Sequence, residues 1–276
     1  MNTQPLYWSI RREVWENRGI YIAPATVAAV ALFAFLVGAM AKTPQLHKQS
    51  LSEQPYNFVA LLIMGTTFLV SIFYCLDAIH GERRDRSVLF WKSLPVSDTT
   101  AVLSKMAVPL VVLPLLTFAI TFAAQLLMLM MQSASLMLTG RSPATLWASV
   151  PVIDMWPMLL YHLVTVHALY YAPIFAWLLF VSAWARRLPF LWAFLPLAAI
   201  GIVERMVFGT THFAHMLGSR ISGGMEGGST PMPGHSLWGH FMPGEFLLSP
   251  GLWLGFVVAA LFLAGTVRLR RVRGPS

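Results

Sequence analysis

His212, His215, His235 and His240, with Met206, Met216, Met225, Met232 and Met242, are the side chains whose types best suit metal chemistry. Imidazole and thioether groups are ligands for copper and related ions. His212 and His215 are three residues apart and would share a helix face. The spacings match no closed ligand set, however, and methionine also fills apolar surface while histidine tolerates an interface, so no metal site is expected. Charged groups within apolar runs come next: Asp77 and His80 close the second run, and Glu204 and Arg205 lie at the end of the fifth. Neither pair stands at mid-run, where an ion-coupled carrier would need it, and anchoring at an interface is the expected role. Glu204 and Arg205 are neighbours, so they point in different directions on a helix and are not expected to pair. His162 and His167 are five apart, share no tight face and receive no chemistry. No motif places a serine beside a base. The lone Cys75 has no partner for an intrachain disulfide. The chain has no Gly-x-x-x-x-Gly-Lys-Ser/Thr phosphate loop, so it is not expected to be an enzyme by itself or to carry a cofactor.

The element that must position these groups is a set of membrane helices. The 276 residues are 57% hydrophobic and 11% charged, with a mean hydropathy of +0.66. The charges are clustered, which leaves uncharged runs at 19–41, 54–76, 106–140, 155–185, 188–203 and 246–267. About 20 apolar residues cross the hydrocarbon core as a helix. The expected fold is an all-α integral membrane protein, a single transmembrane domain over 1–276 with six spans near 20–41, 56–79, 106–130, 160–184, 188–207 and 250–267. Two polar or proline-bearing stretches, Gln132–Pro143 and Met155–Tyr161, read as loop. Ala39-Met40-Ala41 resembles a cleavage site, but the apolar run before it is longer than a signal-peptide core, and it reads as an uncleaved anchor.

The basic residues orient these spans. With the N-terminus inside, fourteen of the 19 Lys and Arg residues lie on the inner side and five (Lys42, Lys48, Arg141, Arg205 and Arg220) outside. An even number of spans and this bias agree with the positive-inside rule. The expected location is a bacterial-type inner membrane, multi-pass, with both termini cytoplasmic. A net charge of +8 is then a signal for topology and anionic lipid. No clustered basic domain or base-stacking motif suggests nucleic acid. Residues 5–18 read as a short helix lying in the membrane interface, with Leu6, Tyr7, Trp8, Ile10, Val14 and Trp15 on one arc that also takes in Arg11 and Arg18. Short helices are expected in the outer loop 208–249, whose Gly223-Gly224, Gly227-Gly228 and Pro231-Met232-Pro233-Gly234 segments are turn-forming. No internal repeat argues for an inverted-repeat carrier.

The inner loop 80–105 is the most informative connection. Glu82, Arg83 and Arg84 open a short helix that continues through Ser87, Val88, Leu89, Phe90, Trp91, Lys92 and Leu94 and stops at Pro95. Ser97 and Asp98 can cap and charge-complement a new helix running through Lys105 into the third span. The apolar centre of the first helix is poorly suited to water, and a partner surface is expected to cover it, with Glu82, Arg83 and Lys92 as a charged rim.

That loop resembles the one between the second and third spans in permease subunits of ATP-binding-cassette exporters of the type-2 class. The residues that carry the resemblance are Glu82, Arg83, Ser87, Leu94, Pro95, Val96, Ser97 and Lys105, with Arg86 where the family often has glycine. The resemblance extends to chain length, six-span layout, a lead-in helix and a large outer loop before the last span. It implies that 82–95 forms a coupling helix docking on a separate cytoplasmic ATPase subunit. It implies further that ATP and Mg are bound by that partner, and that the permease works with a second copy or a paralogue within the lipid bilayer. Two other classes stay open on the residues alone: an ion-coupled secondary transporter, and a membrane enzyme or metal-handling protein.

Overall fold

The computed structural model describes residues 4–41, 54–85, 96–221 and 247–272. It is all-helical, with no strand among the described residues. Five helical stretches are long and apolar enough to cross a membrane: Gly19–Gly38, Gln54–Arg84, Asp98–Leu138, Pro189–Phe208 and Pro250–Val272. A sixth arises if Asp154–Tyr170 and Ala172–Trp184, which meet at a 45° bend, count as one span.

In chain order the helices are α1 (Gln4–Glu16), α2 (Gly19–Ala41), α3 (Gln54–Asp77), α4 (His80–Arg84), α5 (Asp98–Ala107) and α6 (Leu113–Leu138). They continue with α7 (Ala144–Ser149), α8 (Val152–His162), α9 (Ala172–Trp184), α10 (Pro189–Phe208), α11 (His212–Ile221) and α12 (Pro250–Val272). Two π-helical segments, Val108–Val112 and Leu163–Tyr170, join α5 to α6 and α8 towards α9. Prolines account for both. Pro109 lies inside the first segment and Pro114 just after it, while Pro173 follows the second, and each lacks the N–H that a regular turn needs. At the bend the Tyr171 amide donates to the Val166 carbonyl, five residues back.

Several boundaries differ from the sequence expectation. Residues 155–161, expected as loop, are helical within α8, which carries Pro157 inside it. The third span, expected over 106–130, is the middle of the continuous stretch Asp98–Leu138. It starts where expected, since the Ser97 hydroxyl accepts from the Thr100 amide as an N-cap. Helix α12 runs to Val272, beyond the expected 267, because Arg270 is paired rather than solvated.

The chain forms two compact units. Unit 1 comprises 1–17, 71–112 and 164–276; unit 2 comprises 18–70 and 113–163. Two of the four crossings between them coincide with the π-helical segments: one directly follows Val108–Val112 and the other lies inside Leu163–Tyr170.

In unit 2, Ala28, Tyr56, Val59, Ile63, Ala124, Met128 and Leu129 of α2, α3 and α6 form one apolar core with Leu146, Val150 and Met155. A polar line runs beside it. Thr67 and Thr117 share a 2.6 Å hydroxyl contact, Gln125 Nε2 donates to the Tyr56 backbone carbonyl at 3.2 Å, and Trp156 Nε1 donates to Gln125 Oε1 at 3.2 Å. Thr117, Thr121 and Gln125 are four residues apart, which stacks them on one face of α6.

In unit 1, α9 and α12 pack closely around Trp177, Phe180 and Phe262. The approach depends on Gly265, where a Cβ would come 2.9 Å from Phe180 Cε2.

Candidate functional site: a buried ion network in unit 1

The site grows from α1. Glu13 points from this helix into unit 1, where 1% of it remains exposed. Its Oε1 accepts from Lys105 Nζ at 2.8 Å and from Arg12 Nη2 at 2.8 Å, and its Oε2 accepts from the Tyr74 hydroxyl at 2.9 Å. Lys105, 2% exposed, extends the network to α4, where its Nζ lies 3.0 Å from Glu82 Oε1. Glu82 also receives Arg12 at 3.4 Å and, on its other oxygen, Arg270 Nη1 at 3.1 Å. Arg270 Nε reaches Asp98 Oδ1 at 3.2 Å, and Arg12 Nε reaches Glu16 Oε1 at 3.6 Å.

Three cations and three inward carboxylates therefore converge from α1, α4, α5 and α12, with the half-exposed Glu16 at the edge. Desolvating that many charges is costly, and it is tolerated because each carboxylate is met by more than one donor or by a solvent-exposed flank. Burial pushes the Glu13 carboxyl up, but the Lys105 ammonium and the Arg12 guanidinium together outweigh burial and hold it below the usual glutamate range. Glu16 behaves in the opposite sense, because burial raises it and Arg12 only partly offsets that.

A second set of contacts ties the α3–α4 junction to the end of α9. The Ser182 hydroxyl accepts from the Ile79 and His80 amides at 3.1 and 3.0 Å, Arg83 Nη1 donates to the Ala183 carbonyl at 2.8 Å, and His80 Nδ1 lies 3.3 Å from the Ala185 carbonyl. Gly81 is packed against Asp77, whose Oδ2 would lie 3.1 Å from an added Cβ.

Of the residues expected to form the coupling helix, Glu82 and Arg83 are thus placed inside unit 1 by these contacts. Ser87, Val88, Leu89, Phe90, Trp91, Lys92, Leu94 and Pro95 lie outside the described residues. Sequence reasoning singled out Glu82 and Lys105 but missed Glu13, Tyr74 and Arg270 as their partners. The available signal was weak: Glu13 is the one acidic residue among the apolar and basic positions of α1 before its last turn.

At the other end of unit 1, Glu204 and Arg205 do not pair among the described residues. Glu204 instead caps α11, accepting from the Thr210 hydroxyl and from the His212 and Phe213 amides at 2.8 to 2.9 Å. Arg220 pins the far end of α11 by donating to the Gly251 carbonyl at 2.7 Å and covering the Tyr170 ring at 4.3 Å. A Cβ at Gly255 would meet the Arg220 guanidinium, so any larger residue there would have to displace that side chain. The Tyr171 hydroxyl donates to the Ile221 carbonyl at 2.7 Å. An open apolar groove of about 430 Å³ lies between α10 and α11, lined by Ala199, Ile200, Val203, Glu204, Phe208 and Phe213.

His212 and His215 share the first turn of α11, as their spacing implies, whereas His235 and His240 lie outside the described residues. Among the described residues no three His, Cys, Asp or Glu side chains come together as a metal group. Asp77 is exposed and Cys75 is buried.

Comparison of the chain with protein-family models, curated proteins and solved structures gives no match. The functional reading therefore stands on the membrane-helix architecture, the ion network and the loop that the network flanks.

Proposed function

We propose that the chain is the transmembrane permease subunit of an ATP-driven exporter, coupling ATP hydrolysis on a separate cytoplasmic subunit to movement of substrate. In this reading the bent pair Asp154–Tyr170 and Ala172–Trp184 is one span, giving six. Helix α1 lies in the interface, both termini are cytoplasmic, and the membrane is of the bacterial inner type. A second permease copy or paralogue supplies the other half of the path, and ATP and Mg belong to the partner.

One observation carries the reading beyond the loop's resemblance to type-2 exporter permeases. Loop residues 86–95 are flanked by Glu82 on one side and by Asp98 and Lys105 on the other, and these three are bound through Lys105 and Arg270 into a single network with α1 and α12. A loop whose flanks are anchored in this way transmits a push from a docked subunit to several helices at once, because parting a buried ion pair leaves uncompensated charges and is costly. A freely solvated connection would not.

An ion-coupled secondary transporter would draw instead on the polar line of unit 2. Its described members, Thr67, Thr117, Thr121 and Gln125, carry no titratable group, and hydrogen bonding between packed helices accounts for Thr67, Thr117 and Gln125.

The test uses Leu89→Asp and Trp91→Asp in the apolar centre of the loop. Each should release the ATPase on co-purification and abolish substrate-stimulated ATP turnover in lipid, while membrane insertion is retained. Normal assembly and turnover in both variants would remove the coupling assignment.

A further inference from the structure

Helix α1 presents two different faces. Its inward face carries Glu13, with Leu6 and Ile10 half-buried beside it. The opposite face carries Trp8, Arg11 and Trp15, spaced three and four apart so that they stack along one side. Arg11 is clamped between the two indoles, its guanidinium 5.2 Å from the Trp8 ring and 4.8 Å from the Trp15 ring. Both indoles are open, at 57% and 67% exposure, and Tyr7 packs edge-on against Trp8.

The contrast with the neighbouring Arg12 is informative. Arg12 turns inward to Glu13, Glu16 and Glu82, whereas Arg11 has no acidic partner among the described residues. A guanidinium held over two indoles keeps N–H donors free of any acidic partner among the described residues, and a phosphate can take such donors through parallel hydrogen bonds. The chain link limits how far the end of this helix can lie from the start of the apolar helix α2. Helix α1 ends at Glu16 and the apolar helix α2 begins at Gly19. The three steps between them reach at most about 10 Å, comparable to the depth of the headgroup region. The Glu13 contacts fix the roll of α1, so the Trp8–Arg11–Trp15 face cannot turn inward without breaking them.

We infer that Arg11, held between Trp8 and Trp15, binds the phosphate of an anionic phospholipid headgroup. Two indoles at headgroup level supply interfacial anchoring, and the guanidinium supplies the preference for negative charge. The inference rests on the multi-pass membrane reading and is independent of the exporter reading. A net charge of +8 is complementary to such a surface.

The full chain, purified in uncharged detergent and stripped of lipid, is titrated with dioleoyl-phosphatidylglycerol or dioleoyl-phosphatidylcholine, and retained lipid is counted by native mass spectrometry. Wild type should hold one phosphatidylglycerol about fivefold more tightly than phosphatidylcholine, the ratio expected from one basic residue at an anionic surface. Arg11→Gln should abolish that preference and Arg11→Lys should reduce it, with the protein still monodisperse. Arg187→Gln, which removes another exposed cation, should leave it intact. A preference that survives Arg11→Gln, that is lost equally in Arg187→Gln, or that inorganic phosphate competes away would overturn the inference. Alkaline carbonate extraction of wild type from vesicles is the separate check. Extraction would sink the membrane reading and this inference together, whereas an inserted chain without Arg11 dependence would sink only the inference.

Discussion

Lys105 Nζ lies 2.8 Å from Glu13 Oε1, with both side chains 2% exposed and 92 residues apart in the chain. This pair joins α1 to the start of the Asp98–Leu138 stretch, and it carries the first prediction. Removing one member of a buried pair leaves the other desolvated and unmatched, at a typical cost of about 3–5 kcal/mol. Glu13→Gln and Lys105→Met should each lower the unfolding midpoint in detergent sharply. The double variant should recover a substantial part of the loss, because Glu82 keeps Arg270 and Arg12 as partners. Additive losses in the double variant would show that the two side chains do not act as a pair.

The pH dependence follows from the same geometry. An unfolded glutamate takes up its proton near ~4.3, whereas folded Glu13 is held lower by Lys105 and Arg12. In the window from the unfolded value down to the folded one, the unfolded chain binds more protons, so Glu13 contributes stability that is complete above that window and lost as pH falls through it. Glu16 contributes in the opposite sense: its raised value marks a folded state in which the ionised carboxylate is penalised, and acid relieves that penalty by protonating it. Unfolding midpoints measured from pH 6 downward should therefore fall less steeply in Glu13→Gln than in wild type, and more steeply in Glu16→Gln. A Glu13→Gln profile parallel to wild type would contradict the assignment.

Much of the architecture is legible in composition, because the bilayer demands long uncharged runs and helical backbone, and the uncharged runs at 19–41, 188–203 and 246–267 map onto the helices that start at Gly19, Pro189 and Pro250. What escapes is whatever depends on distant partners. Arg268 ends the last apolar run in the sequence, yet α12 continues to Val272, with the Arg270 guanidinium received by Glu82 and Asp98. Residues 155–161 look like loop because of Pro157, but one proline does not end a helix when its neighbours keep the remaining hydrogen bonds. The π-helical segments are marked only by Pro109, Pro114 and Pro173, which say that regular bonding fails without saying how. The ion network was half legible: Glu82 and Lys105 stood out in the loop pattern, while Glu13 could not be matched to them by local periodicity.

Helix packing in unit 1 offers a sharper test. A Cβ on Gly265 would meet the Phe180 ring, so Gly265→Val should force α9 and α12 apart at a cost of about 1–3 kcal/mol, the usual range for overpacking. Phe180→Ala alone should also destabilise by removing a ring from the Trp177 and Phe262 cluster. Combined, the two should cost less than their sum, since the valine then fills space the ring has left. Strict additivity in thermal unfolding would mean that the two positions do not touch.

Glu82 connects stability to the proposed function. It is the carboxylate on which Lys105, Arg270 and Arg12 converge, directly before the loop proposed to dock the ATPase. Neutralising it in Glu82→Gln leaves three cations facing Glu13 and Asp98, with Glu16 only at the edge, so the network should loosen and the helices it joins should move more independently. Removing Arg270 as well restores the balance, and Asp98, partly open to solvent, tolerates the loss of that partner. Glu82→Gln should therefore lower the unfolding midpoint more than the Glu82→Gln/Arg270→Gln double variant does. The functional consequence separates anchoring from docking. In both variants the apolar centre at Leu89 and Trp91 is unchanged, so the ATPase should still co-purify. Substrate-stimulated ATP turnover should fall in both, because neither retains the link from α4 to α12. Loss of the ATPase from the double variant would instead place Glu82 or Arg270 in the docking surface, and unchanged turnover in both would show that the network stabilises unit 1 without transmitting anything through it.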